Sequence, residues 1–596
     1  MTRLQIPFLL ILLVTLSCST GKKKNNNTAE PPHLTYLFDM VFNNPGETPT
    51  VTKYKDPAFL KEKGFNGMVP EWHIQCGLTY DSFEKGIIPE GSEERAWILK
   101  KQKWIKNKLA EAKKAGMPVY SFTDVLVLPN IILEKYSKEI VGKSKKKHGN
   151  SLIHGKLKPD INNPLTQKLL RIQIKELFET FPELDGLVIR FGETYLFDTP
   201  YHGGGNPVGP DRIEGHVKLL NILRDEVCVK RNKKLFYRTW DFGFFHTNPD
   251  IYLKITDRIE PHKNLFFSIK YTQGDFHRLM RFNPTLGIGK HPYIVEYQCQ
   301  PEYYGKGAHA DYVFDGMLNG FEEFSQIMKP GQKHGIKDLL DDPKFAGLWT
   351  WSRGGGWTGP YISNELWVDV NVFPAVEWAK NTTLTEKEAL TRAAVKIGVQ
   401  EESIDDFIKI VHLSPKGVVR GHCSLIDIPK AGFNVWWMRD QYMSDMTKLN
   451  NFFDYVIKNN KVEDVLNEKT ESVEIWKQIE ELSKKIKMND PENEEYLKVS
   501  AAYGRFKYEI IEKAFTAVLL GYYGDKTGTY DKKRIKEAIE QYDRLWDEWK
   551  QFRNTHSSCA TLYEPNAFQL TAEGVSGNKK RGLNARINIY RKLVYN

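Results

Sequence analysis

Between residue 34 and about residue 360 the chain alternates short apolar runs with amphipathic helical stretches, and this alternation restricts the fold more than any other feature. Eight runs read as strands: "LTYLFDMVF" (34–42), "FNGMVPE" (65–71), "PVYSFTDVLVL" (118–128), "LDGLVIRFGE" (184–193), "KLFYRTWDFG" (234–243), "LFFSIKY" (265–271), "PYIVEYQ" (292–298) and "FAGLWTWS" (345–352). Between them, "ERAWILKKQKWIKNKLAEAKKAG" closes on Gly116 in the position that ends a helix. In "LTQKLLRIQIKELFETF", Leu169, Ile172, Leu177 and Phe181 recur near helical spacing. Eight strands separated by helices or long excursions are what a (β/α)8 TIM barrel needs. An open doubly wound sheet fits less well, because no G-x-G-x-x-G follows the first strand. "SRGGGW" (352–357) lacks the lysine of a phosphate loop and reads as a tight loop at a barrel rim.

After about residue 365 the strand pattern stops. Ile475, Ile479, Leu482 and Ile486 follow 4-3-4 spacing, and Ile535, Ile539, Tyr542, Leu545 and Trp549 recur at 4-3-3-4, also a helical spacing. The fold expected is therefore α/β: a barrel over 33–363 followed by an all-α helical C-terminal domain over 364–596. That helical domain also offers surface for a homodimer.

The first residues read as a targeting signal. Arg3 is a short basic region, and "IPFLLILLVTLSC" is apolar but too short to span a bilayer. "TLSCS" resembles a bacterial lipoprotein signal. It predicts a signal peptide over 1–17, lipidation at Cys18, and a polar tether over 18–32. The protein expected is an exported lipoprotein, periplasmic or associated with the outer membrane, that meets the membrane through its lipid anchor alone. A plain secreted protein is the alternative. The other cysteines, Cys76, Cys228, Cys299, Cys423 and Cys559, are dispersed and odd in number. That argues against a disulfide scaffold and against a zinc site. The formal charge of +10 includes the local runs "GKKK" and "KSKKK". It suits an acidic ligand or simply a solvated lysine surface. No basic-aromatic module for nucleic acid is present.

The C-terminal ends of barrel strands converge on one face, where catalysis sits. Asp39, Glu71 and Asp124 end the first three strands. The fourth delivers Arg190 and Glu193, and the fifth Arg238, Trp240 and Asp241. The sixth gives Lys270, with Asp275 in the following loop. The seventh gives Glu296, with Glu302 behind it, and the eighth Trp349, Trp351 and Arg353. Carboxylates, cations and tryptophans mixed at one rim are the ingredients of glycoside hydrolysis. That reaction needs one protonated carboxyl and one ionised one, and burial with like-charge neighbours separates their pKa values. Aromatic content of 12% is compatible with a sugar cleft as well as with ordinary packing.

Several of these segments carry a resemblance. "SIKYTQGDF" (268–276) and "EYQCQPEYYGKG" (296–307) are similar to catalytic segments of the family-67 α-glucuronidases, and "DGLVIRFGE" and "FYRTWDF" match that family more loosely. The resemblance implies an inverting hydrolase of a terminal acidic sugar on a poly- or oligosaccharide. Glu193 would be the acid, and Asp275 and Glu302 would flank the attacking water. Lys270, Arg238 and Arg190 would hold the sugar carboxylate. Asp124, Glu296, Trp240, Trp349, Trp351 and Arg353 would complete the substrate site. No cofactor is implied, since carboxyls and water suffice.

Two other readings stay open. A retaining glycosidase would pair Glu193 with Glu296 as nucleophile. A non-catalytic glycan-binding lipoprotein would need the tryptophans but no converging acids. A metal-dependent enzyme is disfavoured, because His73, His202, His246, His291 and His309 are scattered with no H-x-x-x-H pair. The stretch "YHGGGNPVGP" (201–210) is expected to be a mobile rim loop, with His202 in a turn.

Overall fold

The computed structural model describes residues 31–43, 49–141, 157–196, 198–355, 362–431, 443, 446–553, 555, 556, 558 and 582–595. The signal peptide, Cys18, both lysine runs, Trp357 and Cys559 lie outside them.

Ten strands form in chain order: β1 (Tyr36–Phe42), β2 (Gly67–Met68), β3 (Tyr120–Asp124), β4 (Val127–Pro129), β5 (Gly186–Arg190), β6 (His202–Gly204), β7 (Lys234–Arg238), β8 (Leu265–Lys270), β9 (Tyr293–Gln298) and β10 (Phe345–Gly354). Eight of them make one parallel sheet in the order β2-β1-β10-β9-β8-β7-β5-β3. A bridge between Met68 and Val119 joins its two edges, with Met68 N–H donating to Pro118 O at 2.9 Å and Phe122 N–H to Pro70 O at 3.0 Å. The sheet is thus a (β/α)8 barrel. Its strands read as continuous apolar runs because parallel strands here are covered on both faces. β4 and β6 pair antiparallel as a separate ribbon. The expected rim loop at 201–210 is therefore partly a strand, with His202 buried against Trp97 at 5.6 Å between ring centroids.

Alternation along each strand sorts the side chains into inside and outside. Tyr36, Phe38, Tyr120, Phe236 and Phe266 meet across the barrel floor, with centroids 4.7 Å apart for Phe38–Tyr120 and 5.0 Å for Phe236–Phe266. The same parity brings Asp124, Arg190, Arg238, Lys270, Glu296, Trp349 and Trp351 inward at the upper end. Asp39 has the opposite parity. It faces out, accepting from Thr350 Oγ1 at 2.6 Å and Ser352 Oγ at 2.8 Å, and so leaves the rim.

The helices form where local signals agree. Glu93–Lys114 opens on Ser92, whose hydroxyl accepts from Arg95 N–H at 3.2 Å. Glu93 and Glu94 sit in its first turn, Lys113 and Lys114 in its last, and Gly116 follows at φ 65°. Each charge opposes the helix dipole at its own end. In Pro164–Thr180 the buried apolar residues are Leu169, Leu170, Ile174, Leu177 and Phe178, with Ile172 turned half outward.

Among the described residues from Leu366 on, the regular elements are helices, and the 37-residue helix Pro491–Thr527 runs through the middle. Ile404–His422, Val462–Ser483, Lys532–Arg553 and Leu583–Tyr595 pack around it. Among the described residues no helix is long and apolar enough to cross a membrane. The barrel and these helices share one continuous apolar core.

Polar contacts at Pro415 are among those that tie the parts together. Pro415, inside Ile404–His422, has no N–H for Val411 O. Ser414 Oγ donates to that carbonyl at 2.8 Å and accepts Tyr312 N–H from the barrel at 3.1 Å. Arg278 binds Glu323 in a bidentate pair at 2.8 and 2.7 Å and reaches Pro415 O at 3.2 Å. Glu323 has no side-chain exposure, so Arg278→Met strands a buried carboxylate. This variant is expected to lose about 3–5 kcal/mol in urea denaturation. A loss within error of zero contradicts the role of this pair.

Candidate active site

The upper end of the barrel gathers three acids through backbone features that the sequence encodes locally. Glu193 follows β5 by three residues. Gly192 lets the strand end pass close to β7, since a Cβ there would lie 2.5 Å from Trp240 O. Glu193 then lies within the electrostatic reach of Asp275, Lys270, Arg190 and Arg238. Asp275 lies in the loop after β8, and Glu302 in the loop after β9, with its N–H donating to Gln298 Oε1 at 3.1 Å. Gly355, at φ 75°, borders Glu302 so tightly that a Cβ would come within 2.2 Å of Oε2. Gly355 thus makes room for a carboxyl.

Electrostatics separates the three. Burial pushes Asp275 upward, but Lys270 and His277 oppose it with positive charge. Hydrogen bonds from Lys270 Nζ and from Tyr303 Oη, the latter at 2.6 Å, add to this and hold Asp275 well below the ordinary carboxylate range. Glu302 moves the other way, pushed up to about 8 by burial and by the charge of Asp275. Glu193 is also raised, first by burial and then by Asp275, against the pull of Lys270, Arg190 and Arg238. At neutral pH the site therefore holds one ionised carboxylate and a protonated partner, with Glu193 shifted toward its protonated form. Each acid lies in the field of Asp275, so the three share one site.

Aromatic rings frame Lys270. Its Nζ is 4.1 Å from the centroid of Trp240, 4.4 Å from Phe276 and 5.7 Å from Trp351. Such faces favour a cation and exclude water from it.

The other candidates fall into two groups. Arg190 is clamped between Asp124, at 2.6 Å from Nε, and Glu71, at 3.1 Å. Arg238 makes a bidentate pair with Glu296 at 2.8 and 2.7 Å, and Ser268 adds a hydrogen bond to Glu296 at 2.9 Å. The likeness assigned Arg190 and Arg238 to a substrate carboxylate. In the structure each already neutralises protein carboxylates, because a charge inside a barrel must be compensated there. Trp349 is fully buried under Arg238 at 5.5 Å and serves as core, whereas Trp351 and Trp240 border Lys270. Arg353 leaves the group. A register shift between Met40 and Val41 resets the alternation of β10, and Arg353 pairs with Glu365 at 2.9 Å at the start of helix Leu366–Lys380. Asp241 is likewise structural, accepting from Phe245 N–H at 3.0 Å and from Arg212.

Sequence reasoning missed Tyr195, Tyr303, His277 and Gly355. Tyr195 hydrogen-bonds Glu193. Tyr303 bonds Asp275, and its ring stacks on His277 at 3.9 Å. The only available signal was position: Tyr195 and Tyr303 flank two of the proposed acids in the chain.

No protein-family model and no curated protein matches this chain. Among solved structures it is similar to a GH138 enzyme targeting pectin rhamnogalacturonan II. The identity is 12% and the TM-score 0.51, over 95% of this chain and 68% of that one. An O-GlcNAc hydrolase mutant of Thermobaculum terrenum aligns with TM-score 0.37 and 8% identity over 95% of this chain and 97% of that one. A chitobiase of Flavobacterium johnsoniae aligns with TM-score 0.34 and 14% identity over 86% and 75%. The first likeness shows a shared fold.

The protonation split has a consequence for stability. Folded Glu302 keeps its proton up to about pH 8, whereas an unperturbed glutamate loses it near 4.5. Between those values the folded state binds more protons, so stability falls as pH rises. Glu302→Gln removes this contribution. Its melting temperature relative to wild type should climb from pH 5 to pH 8 in a thermal scan. A difference that stays constant with pH contradicts the raised pKa.

Proposed function

We propose that the protein is a glycoside hydrolase that removes a terminal acidic sugar from a poly- or oligosaccharide with inversion. One arrangement carries the reading: Asp275, bonded by Lys270 and by Tyr303 Oη at 2.6 Å, stands close enough to two buried acids, Glu193 and Glu302, for its charge to raise their pKa values. Glycosidic cleavage requires that division of roles. Glu193 gives its proton to the glycosidic oxygen as the bond from that oxygen to the anomeric carbon breaks. Water attacks the anomeric carbon from the opposite face, and its proton goes to Asp275. Glu302, protonated, donates a hydrogen bond within the same pocket. Proton exchange with solvent then restores Glu193 and Asp275.

The sugar's carboxylate meets Lys270. Its ammonium has three donors, and Asp275 takes one of them. Arg190 and Arg238 act indirectly, by balancing the charge beneath the sugar. A carbohydrate substrate is also supported by the fold shared with an enzyme that targets a pectin. The retaining alternative would use Glu296. It is the weaker reading, because one guanidinium, Arg238, takes both oxygens of Glu296 and the side chain has no exposure, whereas that of Asp275 is 15% exposed.

Proton NMR of uronate-capped oligosaccharides during turnover tests the proposal. An α-linked uronate should appear first as the β-anomer. First appearance of the α-anomer indicates retention, and cleavage of neutral glycans alone removes the acidic assignment. Glu193→Gln should slow turnover by about 10²–10⁴-fold, and an unchanged rate rejects Glu193 as the acid. The general acid works only while protonated and the base only while ionised. The rate should therefore fall on the alkaline side, through the raised pKa of Glu193, and hold on the acid side below the ordinary carboxylate range.

We also propose that the chain is exported and anchored by lipid on Cys18, from the cysteine that ends its apolar leader. Cys18→Ala should move the protein from the membrane fraction to the soluble fraction, and unaltered fractionation contradicts the anchor.

A further inference from the structure

The loop that carries Glu302 is held from outside the barrel. From residue 301 to 312 every residue is buried. The loop turns sharply, with φ of 97° at Gly305, 49° at Lys306 and 83° at Gly307. A lysine in that region is uncommon and persists only where its surroundings fix it. On the barrel side, Gln300 Nε2 donates to Lys306 O at 2.6 Å. The far side of the turn rests on the helical region.

One helix does most of that holding. Along Pro491–Thr527, Tyr496, Tyr503 and Lys507 are seven and four residues apart, which puts them on one face. Tyr496 donates its hydroxyl to Gly307 O. The Tyr503 ring lies 6.1 Å from that of His309, nearly parallel to it. Lys507 Nζ is 3.1 Å from His309 Nε2. His309 Nδ1 lies 2.9 Å from Ala310 O, which places its proton there and leaves Nε2 to accept from the lysine. The imidazole in turn shapes the turn, since a Cβ at Gly305 would come within 2.5 Å of Nε2. The Trp476 ring closes the other side of His309 at 5.0 Å. Lys507 is fully buried.

We propose that Lys507 is a positioning residue for the reaction: through His309 it holds the Gly305–Gly307 turn, and with it the carboxyl of Glu302 beside Asp275. This rests on the hydrolase reading of the site. The largest direct influences on Glu302 besides burial are Asp275, Lys270, Lys306 and Tyr303, and the contact of Lys507 is with His309 behind the turn.

Three full-length variants test it: Lys507→Met, Lys507→Arg and Tyr496→Phe. Each is followed by steady-state kinetics across pH and by hydrogen–deuterium exchange. Lys507→Met should lower kcat about tenfold or more with KM changed by less than about twofold. Its pH profile should also shift on the limb that Glu302 influences. Lys507→Arg should recover part of the rate. Peptides from 301–312 should exchange faster in Lys507→Met, while the barrel strands stay as protected as in wild type. Tyr496→Phe keeps the ring and should show a smaller effect in the same direction, which preserves the test should Lys507→Met fail to fold. Wild-type kcat together with wild-type loop exchange in Lys507→Met overturns the proposal and leaves the hydrolase reading standing. Faster loop exchange in a protein that cleaves no glycan sinks the hydrolase reading while the link from Lys507 to the loop stands.

Discussion

Lys270 against Asp275, inside a frame of Trp240, Phe276 and Trp351, is the contact on which the chemistry of this site depends. Burial alone would raise all three acids together. The ammonium breaks that symmetry by holding Asp275 ionised. Its negative charge then adds to burial in raising Glu193 and Glu302. Lys270, with His277 and Tyr303, thus favours the charged form of Asp275, while burial and the charge of Asp275 raise the other two acids. The rings around it keep water away, so the effect is not screened.

The same logic extends downward through the barrel. The upper interior is ionic rather than apolar: Arg190 with Asp124 and Glu71, then Arg238 with Glu296. Phe122 lies under both guanidiniums, at 4.8 and 5.1 Å. These pairs form a rigid, nearly neutral floor on which the reacting acids rest. The helical region supplies the lateral support. Pro415 O receives Arg278 near the Asp275 loop, and Tyr496 and Lys507 reach the Glu302 loop. The helices thus brace two of the three acid-bearing loops, and the shared apolar core joins them to the barrel.

How much of this was legible in the sequence depends on the range of the interaction. All eight barrel strands were, because strands buried on both faces leave uninterrupted apolar runs. Glu193, Asp275 and Glu302 lie just past β5, β8 and β9, where the strand pattern in the sequence puts them. Pairing across the barrel did not. Arg190 and Arg238 stand where a substrate would meet them, and only the inward parity of Asp124 and Glu296 shows them already matched. Arg353 was misplaced because a one-residue register shift in β10 leaves no mark in composition. Asp39 was assigned to the rim by its place along the strand, whereas its parity turns it outward. The hold of Lys507 on His309 spans 198 positions, and no local pattern records a contact that distant.

Neutron diffraction from deuterium-exchanged crystals at neutral pD is the most direct measurement of the central claim. The account predicts deuterium on Glu302, none on either oxygen of Asp275, and three deuterons on Lys270 Nζ, one of them directed at Asp275. A deuterated Asp275 beside an ionised Glu302, or a Glu193 carboxyl directed away from both, would contradict it.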